Sequence, residues 1–130
     1  MTKKIVVVDD ELDMRLFIST ILETNGYKAI TAKNGEQGLQ KVKEIFPALI
    51  ILDVMMPGEG GAKMYKRLRD DDAINNIPVI MMTAVDEKAF YHYLKMLDLQ
   101  SSDPIQLPQH YHQKPPDPEK LIKTIEQLLL

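Results

Sequence analysis

The sequence predicts an α/β fold, a doubly wound parallel sheet assembled from five β-then-α units. Short apolar runs alternate with amphipathic stretches of helical period along the chain. The connections between them are short, so each crossover must be right-handed and lay its helix on the sheet. The run Ala48 to Leu52 is apolar throughout, the pattern of a strand covered by helices on both faces.

The elements follow in order. Ile5 to Val8 is a short strand, followed by Met14, Phe17, Ile18, Ile21 and Leu22, whose spacing makes one helical stripe that Asn25-Gly26 stops. Tyr27 to Ala32 reads as a second strand. Asn34-Gly35-Glu36 opens a helix carrying Leu39, Val42 and Phe46, closed before Pro47. After the third strand come Asp53 and a Pro/Gly segment, then a helix holding Met64, Tyr65 and Leu68 and a polar loop from Asp70 to Asn76. Pro78 to Met82 is a fourth strand. Asp86 to about Leu97 is a helix with Phe90, Tyr93, Leu94 and Leu97 on one side. Pro104 and Pro108 break the irregular stretch from Asp98 onward, and Gln109 to Gln113 is a short fifth strand. Asp117-Pro118-Glu119 caps a last helix with the stripe Leu121, Ile125, Leu128 and Leu129. No repeat or linker divides residues 1–130, so a single domain is expected.

Composition narrows the function. In 130 residues, 45% are hydrophobic and 27% charged, which suits a globular domain and excludes disorder. A net charge of -3 argues against holding nucleic acid or an acidic membrane surface by charge neutralisation. With no cysteine, disulfides, thiolate metal sites and cysteine nucleophiles are excluded, while an oxygen-ligated metal is not. The apolar run at the start is too short for a signal peptide or a membrane span, so a cytoplasmic location is expected. Nothing follows Leu130, which fits either a stand-alone domain or a piece of a longer protein, without an output domain of its own.

In sheets of this kind ligands bind beyond the carboxyl ends of the strands. The first strand ends in Asp9-Asp10-Glu11, the third in Asp53, the fourth in Thr83-Ala84, and the fifth leads to Lys114-Pro115. Acidic residues at wet strand ends also cap helices, an equally good account of Asp9 or Asp10 alone. Asp53 is different, because a lone carboxylate closing a fully apolar central strand gains nothing from packing. Two carboxylates about 4 Å apart repel by roughly 4 kcal/mol at an effective dielectric near 20, so the cluster requires a cation. Mg²⁺ suits it, binding one or two carboxylates, retaining waters and engaging a phosphate. A lysine and a threonine then complete a site for phosphoryl transfer onto a carboxylate.

Taken together, VVVDDE at the first strand, ALIILDVMMPGEGG around the third, VIMMTA at the fourth and YHQKPP at the fifth resemble the response-regulator receiver domains of two-component signalling. The resemblance covers the whole chain. It implies a flavodoxin-like (βα)5 sheet with strand order 2-1-3-4-5. It implies that Asp53 is the phosphoacceptor, that Asp9 and Asp10 hold Mg²⁺ with Asp53, and that Met55 adds its backbone carbonyl. Thr83 would bond the phosphoryl group and Lys114 would pair with it, ahead of a cis peptide to Pro115. Thr83 and Tyr111 would form the switch. The implied partners are a histidine kinase or phosphotransfer protein and a downstream protein met by the face of the fourth helix, fifth strand and fifth helix. The domain would be a monomer or a phosphorylation-dependent dimer, and a phosphoacceptor rather than a classical enzyme.

Glu59 and Gly60 depart from the family pattern, which often has an apolar and then an acidic residue there. Thirty-one positions separate Thr83 from Lys114, several more than is usual, and the familiar Gly-Ala before the fifth strand is missing. A haloacid-dehalogenase-like Mg²⁺-dependent phosphatase is the competing enzyme class, but no aspartate stands two residues after Asp9. A receiver-like interaction module that takes no phosphate finds no support, since every expected residue type is present. His110 and His112 share a strand face, yet a solvated strand end explains them better than a metal pair. Asp70-Asp71-Asp72 lacks the spacing of a calcium loop, and Gly58 to Gly61 lacks the GK[ST] ending of a phosphate-binding loop.

Overall fold

The computed structural model describes residues 2–54, 60–100 and 110–130. Ten elements alternate: β1 (Lys4–Val8), α1 (Leu12–Thr24), β2 (Lys28–Ala32), α2 (Gly35–Ile45), β3 (Leu49–Asp53), α3 (Gly61–Asp70), β4 (Val79–Thr83), α4 (Glu87–Gln100), β5 (His110–Gln113) and α5 (Pro118–Leu128). The strands form one parallel sheet in the order β2-β1-β3-β4-β5, the predicted topology.

Strand alternation divides the interior in two. Val6, Val8, Ile50, Leu52 and Met81 point to one face and pack against Val42, Met64, Tyr65, Leu68 and Phe90 from α2, α3 and α4. Ile5, Val7, Leu49, Ile51, Ile80 and Met82 point to the other, against Ile18, Ile21 and Leu22 of α1 and Leu121 and Ile125 of α5. Burial of β3 and β4 on both faces explains why their sequences are continuous apolar runs.

The helix boundaries follow local chemistry. Asn34 Oδ1 accepts the Gln37 amide at 2.8 Å at the start of α2, and Asp117 Oδ1 accepts the Lys120 amide at 3.1 Å at the start of α5. Gly26 takes φ 88 just after α1. Gly38 lets α2 approach the sheet, since a Cβ there would meet Val8 Cγ2 at 2.6 Å.

Three expectations need correction. Phe46 does not extend the apolar stripe of α2; it caps the helix at φ 49 and is 59% exposed, because the turn into Pro47 rotates it off the buried face. Phe17 is likewise exposed at the edge of the α1 stripe. Helix α4 runs to Gln100, beyond Leu97 and into the stretch read as irregular, since no proline interrupts it before Pro104. Phe90 is buried and Tyr93 half-buried; the side chains of Leu94 and Leu97 lie outside the described part, as does the rest of the irregular stretch from 101 to 109. Asp70 ends α3, and Asp71 Oδ1 accepts the Ala73 amide at 2.9 Å, a helix end rather than a calcium loop.

Candidate functional site

Register brings the strand ends together. Val8 is paired with Leu52 and Asp53 with Met82, so Asp9 and Asp53 leave adjacent strands side by side. Thr83 is paired with Gln113, and the Lys114 amide donates to the Thr83 carbonyl at 2.7 Å, which brings Lys114 to the same edge. The Lys114–Pro115 peptide is cis.

Lys114 is the centre of the cluster. Its Nζ lies 2.9 Å from Asp9 Oδ2, 2.9 Å from Glu11 Oε1 and 3.1 Å from Asp53 Oδ2. Asp9 and Asp53 are buried, Asp10 and Glu11 exposed. Burial alone would depress the lysine pKa, but the contacts with Asp9, Glu11 and Asp53 outweigh it and hold the ammonium charged well above the usual lysine range. Asp9 is anchored from several sides: its Oδ1 accepts the Glu11 amide at 2.9 Å, and its carbonyl accepts Arg15 Nη1 at 2.7 Å.

Asp9, Asp10, Glu11 and Asp53 each offer a carboxylate oxygen, and these oxygens lie within 4.8 Å of one another. Asp9 Oδ2 is buried and faces the Lys114 ammonium at 2.9 Å. This all-oxygen donor set fits a hard divalent cation. Met55 lies outside the described residues, so its carbonyl adds nothing to this geometry.

Thr83 is fully buried at the end of β4, and its Oγ1 accepts the Val85 amide at 3.2 Å. Tyr111 is half-buried, stacked on Phe90 with centroids 5.3 Å apart and edge-on to Tyr91 at 5.8 Å. The structure thus gathers Asp9, Asp10, Asp53 and Lys114 into one cluster, with Thr83 at the end of the neighbouring strand. Tyr111 stands apart in an aromatic group with α4.

Sequence reasoning assigned no role to Glu11 or Gly61. Glu11 shares the lysine with the two aspartates, and three consecutive acids at a strand end were its signal. Gly61 opens α3 directly against the end of β3: a Cβ there would lie 2.0 Å from the Asp53 carbonyl oxygen and 2.7 Å from Val54 Cα. The run Gly60-Gly61 was the signal for that close approach.

The two histidines of β5 hold no metal cluster among the described residues. His112 Nε2 lies 3.1 Å from Thr124 Oγ1, which itself donates to the Lys120 carbonyl at 3.0 Å. The ring nitrogen is therefore the donor in this pair. Burial, His110 and Lys120 push the His112 pKa down against a weaker upward pull from Asp117. As pH falls below the ordinary 6.5, the unfolded chain takes a proton that folded His112 resists. Stability should therefore fall through that window and level off below the lowered native pKa. Urea unfolding across a pH series should show this loss, and His112→Asn should reduce it.

Among the described residues no helix is long and apolar enough to cross a membrane. The profile of the response regulator receiver domain family matches residues 5–126. The chain is 33% identical over 127 residues to the phosphate regulon transcriptional regulatory protein PhoB of Pseudomonas aeruginosa, covering 98% of this chain and 52% of that protein. It is 43% identical over 88 residues to the alkaline phosphatase synthesis transcriptional regulatory protein PhoP of Bacillus subtilis, covering 68% of this chain and 36% of that one. The chain thus spans about a third to a half of the curated relatives it matches. Among solved structures, the chemotaxis protein CheY4 of Vibrio cholerae superposes with a TM-score of 0.82 at 27% identity, over 99% of this chain and 100% of that one. A putative response regulator from Chloroflexus aurantiacus gives a TM-score of 0.81 at 26% identity, over 99% and 98%. Matches of sequence and of fold both extend over nearly the whole chain, and this protein belongs to the response regulator receiver domain family of two-component signalling.

Proposed function

We propose that residues 1–130 form a single receiver domain that accepts a phosphoryl group on Asp53 from a histidine kinase or phosphotransfer protein. The observation that carries this reading is the Asp53 carboxylate, buried at the end of an apolar central strand and 3.1 Å from the Lys114 ammonium. An Asp53 oxygen attacks phosphorus and the bond to the donor breaks, leaving an aspartyl phosphate. Lys114, held charged by its three acids, turns from them to the new phosphoryl oxygens, and Thr83 Oγ1 supplies a further hydrogen bond. Asp9, Asp10 and Asp53, with the Met55 carbonyl, would hold Mg²⁺. When bound, that ion neutralises charge on the transferring group. The same groups assist later hydrolysis of the acyl phosphate, so the domain takes part in its own reset without being a classical enzyme.

Thr83 leaving the Val85 amide for the phosphoryl group alters the β4–α4 connection, and Tyr111, packed on Phe90 and Tyr91, responds to it. The surface of α4, β5 and α5 thereby shifts between two states and engages a downstream protein, as monomer or as phosphorylation-dependent dimer, in the cytoplasm.

Incubation with acetyl phosphate and Mg²⁺ should add one phosphoryl group by intact mass. Asp53→Ala and EDTA should each abolish it. Labelling that persists unchanged in either condition would overturn the assignment.

A further inference from the structure

Lys114 is held by three acids of unequal standing. Its Nζ donates to Glu11 Oε1 at 2.9 Å and to Asp53 Oδ2 at 3.1 Å, and pairs with Asp9 Oδ2 at 2.9 Å. Asp9 and Asp53 are buried, Glu11 exposed. Both buried acids have a task in the transfer proposed above, Asp53 as acceptor and Asp9 toward the cation, whereas Glu11 has none. Its place in the chain is also unusual. Glu11 stands at the N-cap of α1, where Ser, Thr, Asp and Asn are favoured because their short side chains reach the free helix amides. The Glu11 side chain makes no such cap. Its backbone is pinned instead, the amide donating to Asp9 Oδ1 at 2.9 Å and the carbonyl accepting the Arg15 amide at 3.0 Å, while the carboxylate crosses to a lysine 103 positions away.

We propose that Glu11 is a positioning residue, a holding point that keeps the Lys114 ammonium beside the site when Asp9 and Asp53 turn to a divalent cation. A cation entering this cluster meets an ammonium already placed there, and the two repel unless the ammonium has another acid to go to. Glu11 is that acid, and its contact with the lysine exists before any cation arrives. Exposure keeps the hold weak: a solvated ion pair is worth little, so the ammonium leaves it for phosphoryl oxygens at small cost. Either buried aspartate, left without a cation, would be stranded out of water and cannot release the ammonium as freely. Glu11 thus acts through Lys114 and touches no reacting atom. The inference rests on the proposed function for the tasks of Asp9 and Asp53.

The test titrates the full chain with Mg²⁺ and follows by NMR both the backbone amides around the cluster and the Lys114 side-chain ammonium. Glu11→Gln should weaken Mg²⁺ binding about fivefold, the scale of an exposed ion pair. The ammonium signal, ordered in the parent at saturating Mg²⁺, should be lost to solvent exchange in that variant. Removing any carboxylate near a cation weakens binding by charge alone, so two further variants separate the readings. Glu11→Asp keeps the charge but is one methylene short and turns to the helix amides as a cap, so it should weaken binding as Glu11→Gln does. In a Lys114→Met background, Glu11→Gln should cost nothing further; should that background not fold, the single variants decide alone. Parent-like Mg²⁺ affinity in Glu11→Asp, or the full loss persisting without the lysine, would make Glu11 a plain charge or a metal ligand and overturn the inference. So would an ammonium signal identical in the parent and Glu11→Gln. These effects without Asp53 labelling by acetyl phosphate would remove the functional reading and leave the holding role; normal labelling with Mg²⁺ affinity unchanged in Glu11→Gln would do the reverse.

Discussion

Lys114→Ala should lose about 3 kcal/mol of folding stability, the scale on which removing one partner of a buried ion pair acts. The Lys114 side chain is only 7% exposed and faces Asp9 at 1% and Asp53 at 4%, so its loss strands two buried carboxylates beside each other. Glu11, at 62%, is solvated and contributes little to that cost. Because the native lysine pKa is raised, its contribution is fully present below the ordinary lysine value and is lost only as pH rises through the higher native one. The deficit of the variant should therefore be constant across neutral pH. Urea unfolding measures the loss, and Mg²⁺ should restore more stability to the variant than to the parent, since it supplies the missing positive charge. A variant as stable as the parent would mean that the two aspartates do not need the ammonium. Glu11→Gln should change stability far less than Lys114→Ala does.

Gly61→Ala should cost about 3 kcal/mol and slow phosphorylation of Asp53, through sterics alone. The added carbon would overlap the Asp53 carbonyl oxygen at 2.0 Å and Val54 Cα at 2.7 Å. Both are backbone atoms and cannot swing aside as a side-chain end can, which places the effect at the upper end of overpacking penalties. Relief requires α3 and the end of β3 to separate, and β3 is the strand that carries Asp53. Gly38→Ala makes a useful contrast, because its new carbon meets side-chain atoms, Val8 Cγ2 at 2.6 Å and the flexible end of Met64 at 3.0 Å, and no backbone. Its stability loss should be smaller and labelling of Asp53 should remain near the parent rate. Thermal unfolding and the rate of labelling by acetyl phosphate, measured on both variants, separate a displaced site from a merely destabilised domain.

Much of this protein is determined locally and was therefore legible in its sequence. Asn34 and Asp117 cap helices through their own side chains within three residues, and Gly26 ends α1 with its own backbone freedom. The apolar runs of β3 and β4 follow from burial on both faces. Asp9, Asp53 and Thr83 read as strand-end residues from the same alternation, because each follows or ends a short apolar run, whereas Lys114 follows the polar strand His110 to Gln113.

What the sequence left undecided depends on contacts between distant parts of the chain. Phe46 fits the helical stripe by spacing, but the left-handed turn into Pro47 turns it to solvent. Glu11 became part of the cluster only when register brought Lys114, 103 positions away, to within 2.9 Å of it. The demand for glycine at Gly61 exists only because α3 starts against the β3 backbone. Local propensity and period are properties of neighbouring residues, so a sequence displays them directly. Register, close approach and shared charge arise when strands and helices pack, and only the tertiary structure decided them.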